Sequence, residues 1–251
     1  MGTIAVGEAN KILDAWVGRT TYTANVAVYA KLHLADPGAA GTTSPAVEAT
    51  RQLVTFGAAA ASQTISNTAA ITWTAVSTTE TITHLSFWTA STAGTFLGSA
   101  ALNTSAVATA GDNINLAIGA FDVSITGTKM AVGECNKALD AWAGRTAYTL
   151  NAAFCAKLHI GDPGSAGTAN AAGETTRKAI TFGSAAAAGA ISNTAAFEWL
   201  NTSTSETLTW MSFWTATTAG VFLGRDDHTS VVMVAGDDAN VAIGALDLTA
   251  V

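Results

Sequence analysis

The sequence predicts a mainly β chain built from two tandem homologous domains, each a β-sandwich or small barrel with one N-terminal α-helix. Three observations predict it. First, the stretch Leu32-His33-Leu34-Ala35-Asp36-Pro37-Gly38 returns as Leu158-His159-Ile160-Gly161-Asp162-Pro163-Gly164, an offset of 126 residues that aligns almost everything around it. Self-similarity at a fixed offset marks a duplicated unit. Second, each copy carries short alternating runs at roughly 8–12-residue spacing, separated by Gly and Asn turns, the signature of a sandwich or barrel. Third, each copy opens on an apolar stripe at helical spacing. The predicted domains are residues 1–125 and 126–251, with the offset falling to 125 between Gly224 and Gly236.

Residues 5–17 place Val6, Ala9, Ile12, Leu13, Trp16 and Val17 on one helical face, and Gly18 stops the helix. The second copy repeats this with Val132, Cys135, Leu139, Trp142, Ala143 and Gly144. A stripe ending in Trp must be covered, by its own β domain or else by a neighbouring subunit. Residues 25–34 then alternate: Val26, Val28, Ala30, Leu32 and Leu34 face inward, while Ala27, Tyr29, Lys31 and His33 face outward. In the second copy Lys157 and His159 take the outward places. Asp36-Pro37-Gly38 breaks the strand, because Pro presets φ, Gly permits positive φ, and Asp bonds back to the turn.

Further strands are predicted at 51–56, 71–73, 81–89, 95–100 and 114–123, with equivalents in the second copy. The strand at 81–89 carries bulk on both faces and is expected to be central or covered on both sides, with Leu85 and Phe87 set against Ile82, His84, Ser86 and Trp88. The junction Ser124–Met130 is short, so the two domains are expected to touch.

The chain has 251 residues and a net charge of -7, with no basic cluster. Phosphate binding rests on Lys and Arg, so nucleic acid is not an expected partner. Asp, Glu, Lys and Arg make up only 12% of residues, against about 25% in an average chain. A surface so poor in charge tends to associate, and much of it is expected to be buried against other chains. The long charge-free stretches are rich in Thr, Ser, Gly and Asn, so no membrane span is expected. No basic n-region opens the chain, and no secretion signal is expected. Cys135 and Cys155 face Ala9 and Tyr29 in the first copy, so the fold does not require a bridge there, and both are expected to be reduced and packed.

Several groups invite chemistry. His33 lies near Asp36 and Ser44, but Ser44 becomes Asn170 in the second copy and no nucleophile elbow is present, so a strand-end role is favoured over a triad. Glu48 with Arg51, repeated as Glu174 with Arg177, reads as a local ion pair, a loop anchor or a contact to a partner chain. Asp226-Asp227-His228 resembles a ligand set for a hard cation, but Ala100, Ala101 and Leu102 stand opposite and calcium-loop spacing is lacking; a solvated hairpin is expected, with no metal and no cofactor. Six of the seven tryptophans pair between copies (16/142, 73/199, 88/214), which favours core or interface duty over a sugar platform. Trp210 alone replaces a His, His84, and marks a face specific to the second copy.

Leu-His-x-x-Asp-Pro-Gly, Arg51–Ala58, Ser66–Ala69 and Ala110–Asp112, taken as a set, resemble a family of small phage structural proteins, often labelled tail fibre proteins, of actinobacterial and other phages. The resemblance covers both halves. It departs from the family in the duplication and in the loop at 38–50, where Ala49 stands in place of the aromatic residue that often precedes the Arg. It implies a virion part assembled in the host cytoplasm, and not an enzyme. Within that class a capsid decoration or cement protein is expected first, bound to the major capsid protein or other virion proteins and to copies of itself, with a trimer expected. A tail-fibre or tail-tip module comes second, and a glycan-binding module third. The expected interface residues are Lys31, His33, Arg51, Lys157, His159, Arg177 and Trp210.

Overall fold

A computed structural model describes residues 3–126 and 129–249. Gly127 and Thr128, inside the predicted junction, lie outside the described residues. The chain is mainly β, in two similar halves with one helix each, and no closed barrel forms among the described residues.

In the first half, β1 (Thr3–Ile4) and α1 (Val6–Trp16) precede β2 (Val28–His33) and β3 (Gln52–Val54). Then come β4 (Thr64–Ser66), β5 (Ile71–Trp73), β6 (Glu80–Trp88), β7 (Phe96–Ala108), β8 (Ile114–Leu116) and β9 (Asp122–Ser124). The main sheet is antiparallel in the order β1-β7-β6-β2-β3, and two short ladders, β4-β9 and β5-β8, pack against it. The second half repeats the plan with α2 (Val132–Trp142), β10 (Cys155–His159), β11 (Lys178–Ala179), β12 (Ala190–Ser192) and β13 (Phe197–Trp199). It continues with β14 (Glu206–Trp214), β15 (Phe222–Met233), β16 (Ala239–Val241) and β17 (Asp247–Thr249). Its main sheet runs β11-β10-β14-β15, with ladders β12-β17 and β13-β16. In place of β1, Met130 forms a single bridge to Gly224.

Strand β6 is central, as its two bulky faces predict. The predicted alternation fails at one place. Pairing slips between Ile82, opposite Ala106, and His84, opposite Ala101, so four residues of β7 bulge out. Ile82 thereby joins Leu85 and Phe87 in the buried core. Strand β7 runs on to Ala108, well past the predicted end at 100, and the predicted strand 114–123 is divided into β8 and β9 by a turn at 118–120. Within 25–34, Val28, Ala30 and Leu32 are buried as predicted, but Val26 and Leu34 lie beyond the sheet and are exposed.

The largest departure concerns the helices. Each packs chiefly into the other half, whereas the sequence predicts cover by its own β domain or a neighbouring subunit. Trp16 stands edge-on to Phe154 and Phe213, with ring centroids 5.2 and 6.2 Å away, and its Nε1 donates to Leu223 O at 3.0 Å. Trp142 does the same in reverse against Phe56 and Phe87, at 5.8 and 5.3 Å, donating to Leu97 O at 2.9 Å. Both indoles are fully buried. Polar contacts are exchanged in the same manner. Asp14 Oδ1 accepts from Ala186 N and Asn10 Oδ1 from Gly189 N; Asp140 Oδ1 accepts from Ala60 N and Asn136 Oδ1 from Gln63 N. Arg19 Nη1 donates to Phe182 O, and Arg145 Nη1 to Phe56 O. Tyr22 and Tyr148 exchange backbone bonds, N to O at 3.0 Å and 2.9 Å. When residue i meets j and j meets i throughout, the contact is isologous, and the halves are related as the subunits of a two-fold dimer.

Local geometry makes the exchange possible. Each helix ends in a Schellman turn: Gly18 N donates to Ala15 O and Arg19 N to Asp14 O, with Gly18 at φ +82°. A Cβ on Gly18 would stand 2.5 Å from Asn151 O of the other half, and one on Gly144 would stand 2.6 Å from Asn25 O. These glycines therefore stop the helix and let the opposite backbone approach. Asn151 Nδ2 then donates to Trp16 O and Asn25 Nδ2 to Trp142 O, so each helix end is closed by an Asn from across the junction.

Because each half contains part of the other's core, the chain is expected to unfold in a single cooperative transition. Trp16→Ala removes a fully buried indole and is expected to cost about 3–5 kcal/mol. In urea, monitored by near-UV circular dichroism, it should shift that one transition without splitting it; two separate transitions would contradict the exchange.

Candidate functional site

The repeated motif residues converge at the rim of the main sheet in each half. His33 and His159 stand at the ends of β2 and β10, Arg51 and Arg177 just before β3 and at the edge of β11, and Ser86, Trp88, Ser212 and Trp214 on the central strands. His33 Nδ1 lies 2.8 Å from Thr43 O, and since a carbonyl only accepts, Nδ1 carries the proton. Nε2, 2.8 Å from Ser86 Oγ, then accepts the Ser86 hydroxyl proton, while Ser86 Oγ accepts from Trp88 Nε1 at 2.8 Å. The chain of donors runs one way, from indole to hydroxyl to imidazole to carbonyl. The Arg51 guanidinium covers the Trp88 ring at 3.9 Å and donates through Nη1 to Ala90 O and Ala93 O, which closes the β6–β7 hairpin.

The second half repeats every link. His159 bonds Ala169 O and Ser212 Oγ at 2.8 Å each, Trp214 Nε1 donates to Ser212 Oγ, and Arg177 lies 3.8 Å over Trp214 and donates to Ala216 O and Ala219 O.

This arrangement corrects the outward placement of His33 and His159: both are fully buried, so neither is available to a partner. Burial lowers the pKa of both histidines below the ordinary value, and the imidazoles are held neutral. The Ser–His pair is not a nucleophile and base open to substrate. Ser86 and Ser212 are fully buried, and the imidazole is oriented by a carbonyl. Asp36 Oδ1 instead accepts from Gly38 N at 2.9 Å, shaping the Asp-Pro-Gly turn. Glu48 turns to Thr50, accepting from its N at 2.8 Å and from its hydroxyl, which leaves Arg51 to the hairpin. Lys31 and Lys157 are half-buried on the outer side of their strands, so these two retain a surface position. Trp210 is half-buried, paired with His159 and Asp227 in the sheet, with the Arg225 guanidinium 6.0 Å over its ring. Trp16, Trp73, Trp142 and Trp199 are fully buried, so they form no sugar platform.

A second polar cluster lies at the exchange itself. Glu8 is buried within α1 and accepts from Tyr22 OH and from Lys11 Nζ at 2.6 Å. Glu134 accepts from Tyr148 OH, Lys137 Nζ at 2.6 Å and Asn151 Nδ2 at 3.1 Å. Burial, with the neighbouring carboxylate, pushes both tyrosine pKa values far above their usual range. These carboxylates are satisfied donor sinks, and they fix the helices against the Tyr22–Tyr148 bridge. Cys135 is buried and accepts from Gln63 Nε2 at 3.3 Å; Cys155 is buried, and its thiol pKa is raised by burial.

The Asp226 hairpin departs from the solvated form expected of it. Asp226 is buried and ion-paired with Lys129 at 2.7 Å, and burial raises its pKa. In the first half Ala100 stands in the place of Asp226 and Thr3 in that of Lys129, so this ion pair belongs to the second half alone. Among the described residues no three His, Cys, Asp or Glu side chains gather as a metal site.

Comparison with known families decides the class. The profile described as podophage GP4 fiber I protein gp80 matches residues 4–124 and again 132–249. The chain belongs to this family. It is a phage structural protein of fibre type, carrying the family's unit twice. No curated protein matches the chain.

Two outcomes follow from the buried relay. The unfolded histidines titrate near pH 6.5 while the folded ones bind protons only at lower pH, so stability is full above about pH 6.5 and falls as pH drops below it. The double variant His33→Gln/His159→Gln should flatten that slope in melting temperature between pH 7 and 5. Ser86→Ala leaves the Trp88 indole and His33 Nε2 without their partner and is expected to cost about 1–3 kcal/mol in urea titration.

Proposed function

We propose that the chain is a building block of a tail-associated fibre, joined through its outer surfaces to other virion proteins and to further copies of itself. The observation that carries this reading is the double match to a fiber I family in a chain whose two units lock reciprocally. Such a body presents each outer surface twice, related by a half-turn, so it can engage two neighbours in equivalent ways and gains avidity when both bind. The half-buried Lys31 and Lys157 and the exposed Val107, Ile118, Val232 and Ile243 are copies of one another on these surfaces. This reading reverses the order expected from sequence, in which capsid decoration came first; the fibre description of the family supports the change. A trimer is not needed to repeat the surface, since one chain already does so.

Gold-labelled antibody on intact particles, or particle reconstruction by cryo-electron microscopy, should place the chain at the tail vertex. Deleting it should reduce host adsorption while the heads stay stable to heat and low salt. Label spread over the shell, with fragile heads on deletion, would establish the capsid reading instead.

A further inference from the structure

The junction between the halves is anchored at each end to its own half. Before it, Ser124 pairs with Thr64 and Ile125 N donates to Gln63 O, both within the first half. After it, Lys129 O accepts from Arg225 N, Met130 bridges Gly224 and Ala131 N donates to Leu223 O, all within the second half. The contacts that cross between the halves come instead from the helices and the Asn and Tyr residues that follow them. Each half therefore presents a surface that is completed by the helix of another copy of the unit, with no part of the contact supplied by these junction residues.

The two surfaces have diverged in matching ways. The buried faces of α1 and α2 agree at Glu8/Glu134, Leu13/Leu139, Ala15/Ala141 and Trp16/Trp142, and differ at Ala9/Cys135 and Ile12/Ala138. The receiving residues differ opposite them. Gln63 N donates to Asn136 Oδ1 at 2.8 Å, and its Nε2 donates to Cys135 Sγ at 3.3 Å. Gly189, its counterpart, makes the same backbone bond to Asn10 Oδ1 at 2.9 Å and has no side chain to extend toward Ala9. Gln63 holds φ +64°, a left-handed conformation that Gly189, at φ +80°, adopts freely. A long polar side chain is thus kept at a position that favours glycine, and its bond is to the one helix that carries Cys135.

The aromatic pockets differ as well. Phe154 stands against Trp16 at 5.2 Å, and Val28 takes its place in the first half. There the additional ring is Phe121, 6.3 and 5.1 Å from Phe56 and Phe87, where the second half has Leu246. Phe121 bridges Leu102 in the bulge of β7, and the bulge of β15 is shorter.

We propose that each half docks a second copy of the unit through this surface without need of the junction, and that the docking is selective: the first half takes the second in preference to its own like. Two first halves would set Gln63 against Ala9, which offers its amide no acceptor, and would force Ile12 into the fully buried place of Ala138. Two second halves would set Cys135 against Gly189 and leave a hole where Ala138 replaces Ile12. This pairing is independent of which part of the virion the chain forms.

The test starts from the folded full chain with a flexible protease site inserted between Gly127 and Thr128. After cleavage the halves should still elute together at the mass of the whole chain. The cut protein is then unfolded in urea, returned to buffer and weighed by native mass spectrometry, in which mixed and like pairs have different masses. Mixed pairs should outnumber like pairs about tenfold, the worth of one buried hydrogen bond. Cys135→Ala with Ala138→Ile gives α2 the buried face of α1 and should shift the second halves toward pairing with one another. Ala9→Cys with Ile12→Ala does the reverse and should favour pairs of first halves. Halves that separate on cleavage, that fail to re-pair when urea is removed, or that re-pair at random would overturn the proposal, as would a mixed preference that neither double variant changes.

Discussion

The structure depends on the reciprocal burial of Trp16 and Trp142. Each indole completes the aromatic core of the half to which it does not belong, against Phe154 and Phe213 in one case and Phe56 and Phe87 in the other. Neither half can close its core alone. Burying a side chain of this size is worth several kcal/mol, comparable to a large share of a domain's net stability. The polar bonds that accompany it, from Asp14, Asn10, Arg19 and their second-half counterparts, mainly determine how the helix sits, because each satisfies a backbone group that would otherwise be buried unpaired.

The motif that marks the repeat belongs to a different layer of the design. The His-x-x-Asp-Pro-Gly stretch, the Arg before β3 and the Ser-x-Trp of β6 are distant in sequence but form one relay at the sheet rim. Its direction is determined by two groups that each have one option: the indole N–H can only donate, and the carbonyl can only accept. The serine and imidazole between them are thereby fully satisfied in a buried site. A Ser–His contact at 2.8 Å thus serves to pin a hairpin, and the guanidinium over the indole seals it from solvent.

The duplication, the two helices, the central position of β6 and the strand bearing His33 were legible in the sequence, because period, spacing and paired tryptophans report directly on local burial. The exchange was not, since an amphipathic helix reads the same whichever body covers it. The relay was missed for a related reason. Ser86 and Ser212 lie on strands expected to be covered on both sides, but nothing in the sequence names their partner, and only the register that places Ser86 opposite Lys31 brings the hydroxyl under His33. Exact recurrence of Asn25 as Asn151 and of Tyr22 as Tyr148 was the available signal for the junction. Polar residues kept in both copies of a loop mark a shared constraint, but not its partner. The inward Ile82 escaped because a bulge breaks the two-residue period on which the face assignment rests.

A body made of two equivalent units has no inherent head or tail: turned over, it offers its neighbours the same surface. A filament built from such bodies through those shared surfaces alone would have no direction. In this chain the equivalence is broken by the sequence differences between the halves, among them the shortened bulge of β15 with His228, Trp210 in place of His84, and the Lys129–Asp226 pair where the first half has Thr3 and Ala100. Any polarity such a filament had would enter through differences of this kind or through whatever held its first member.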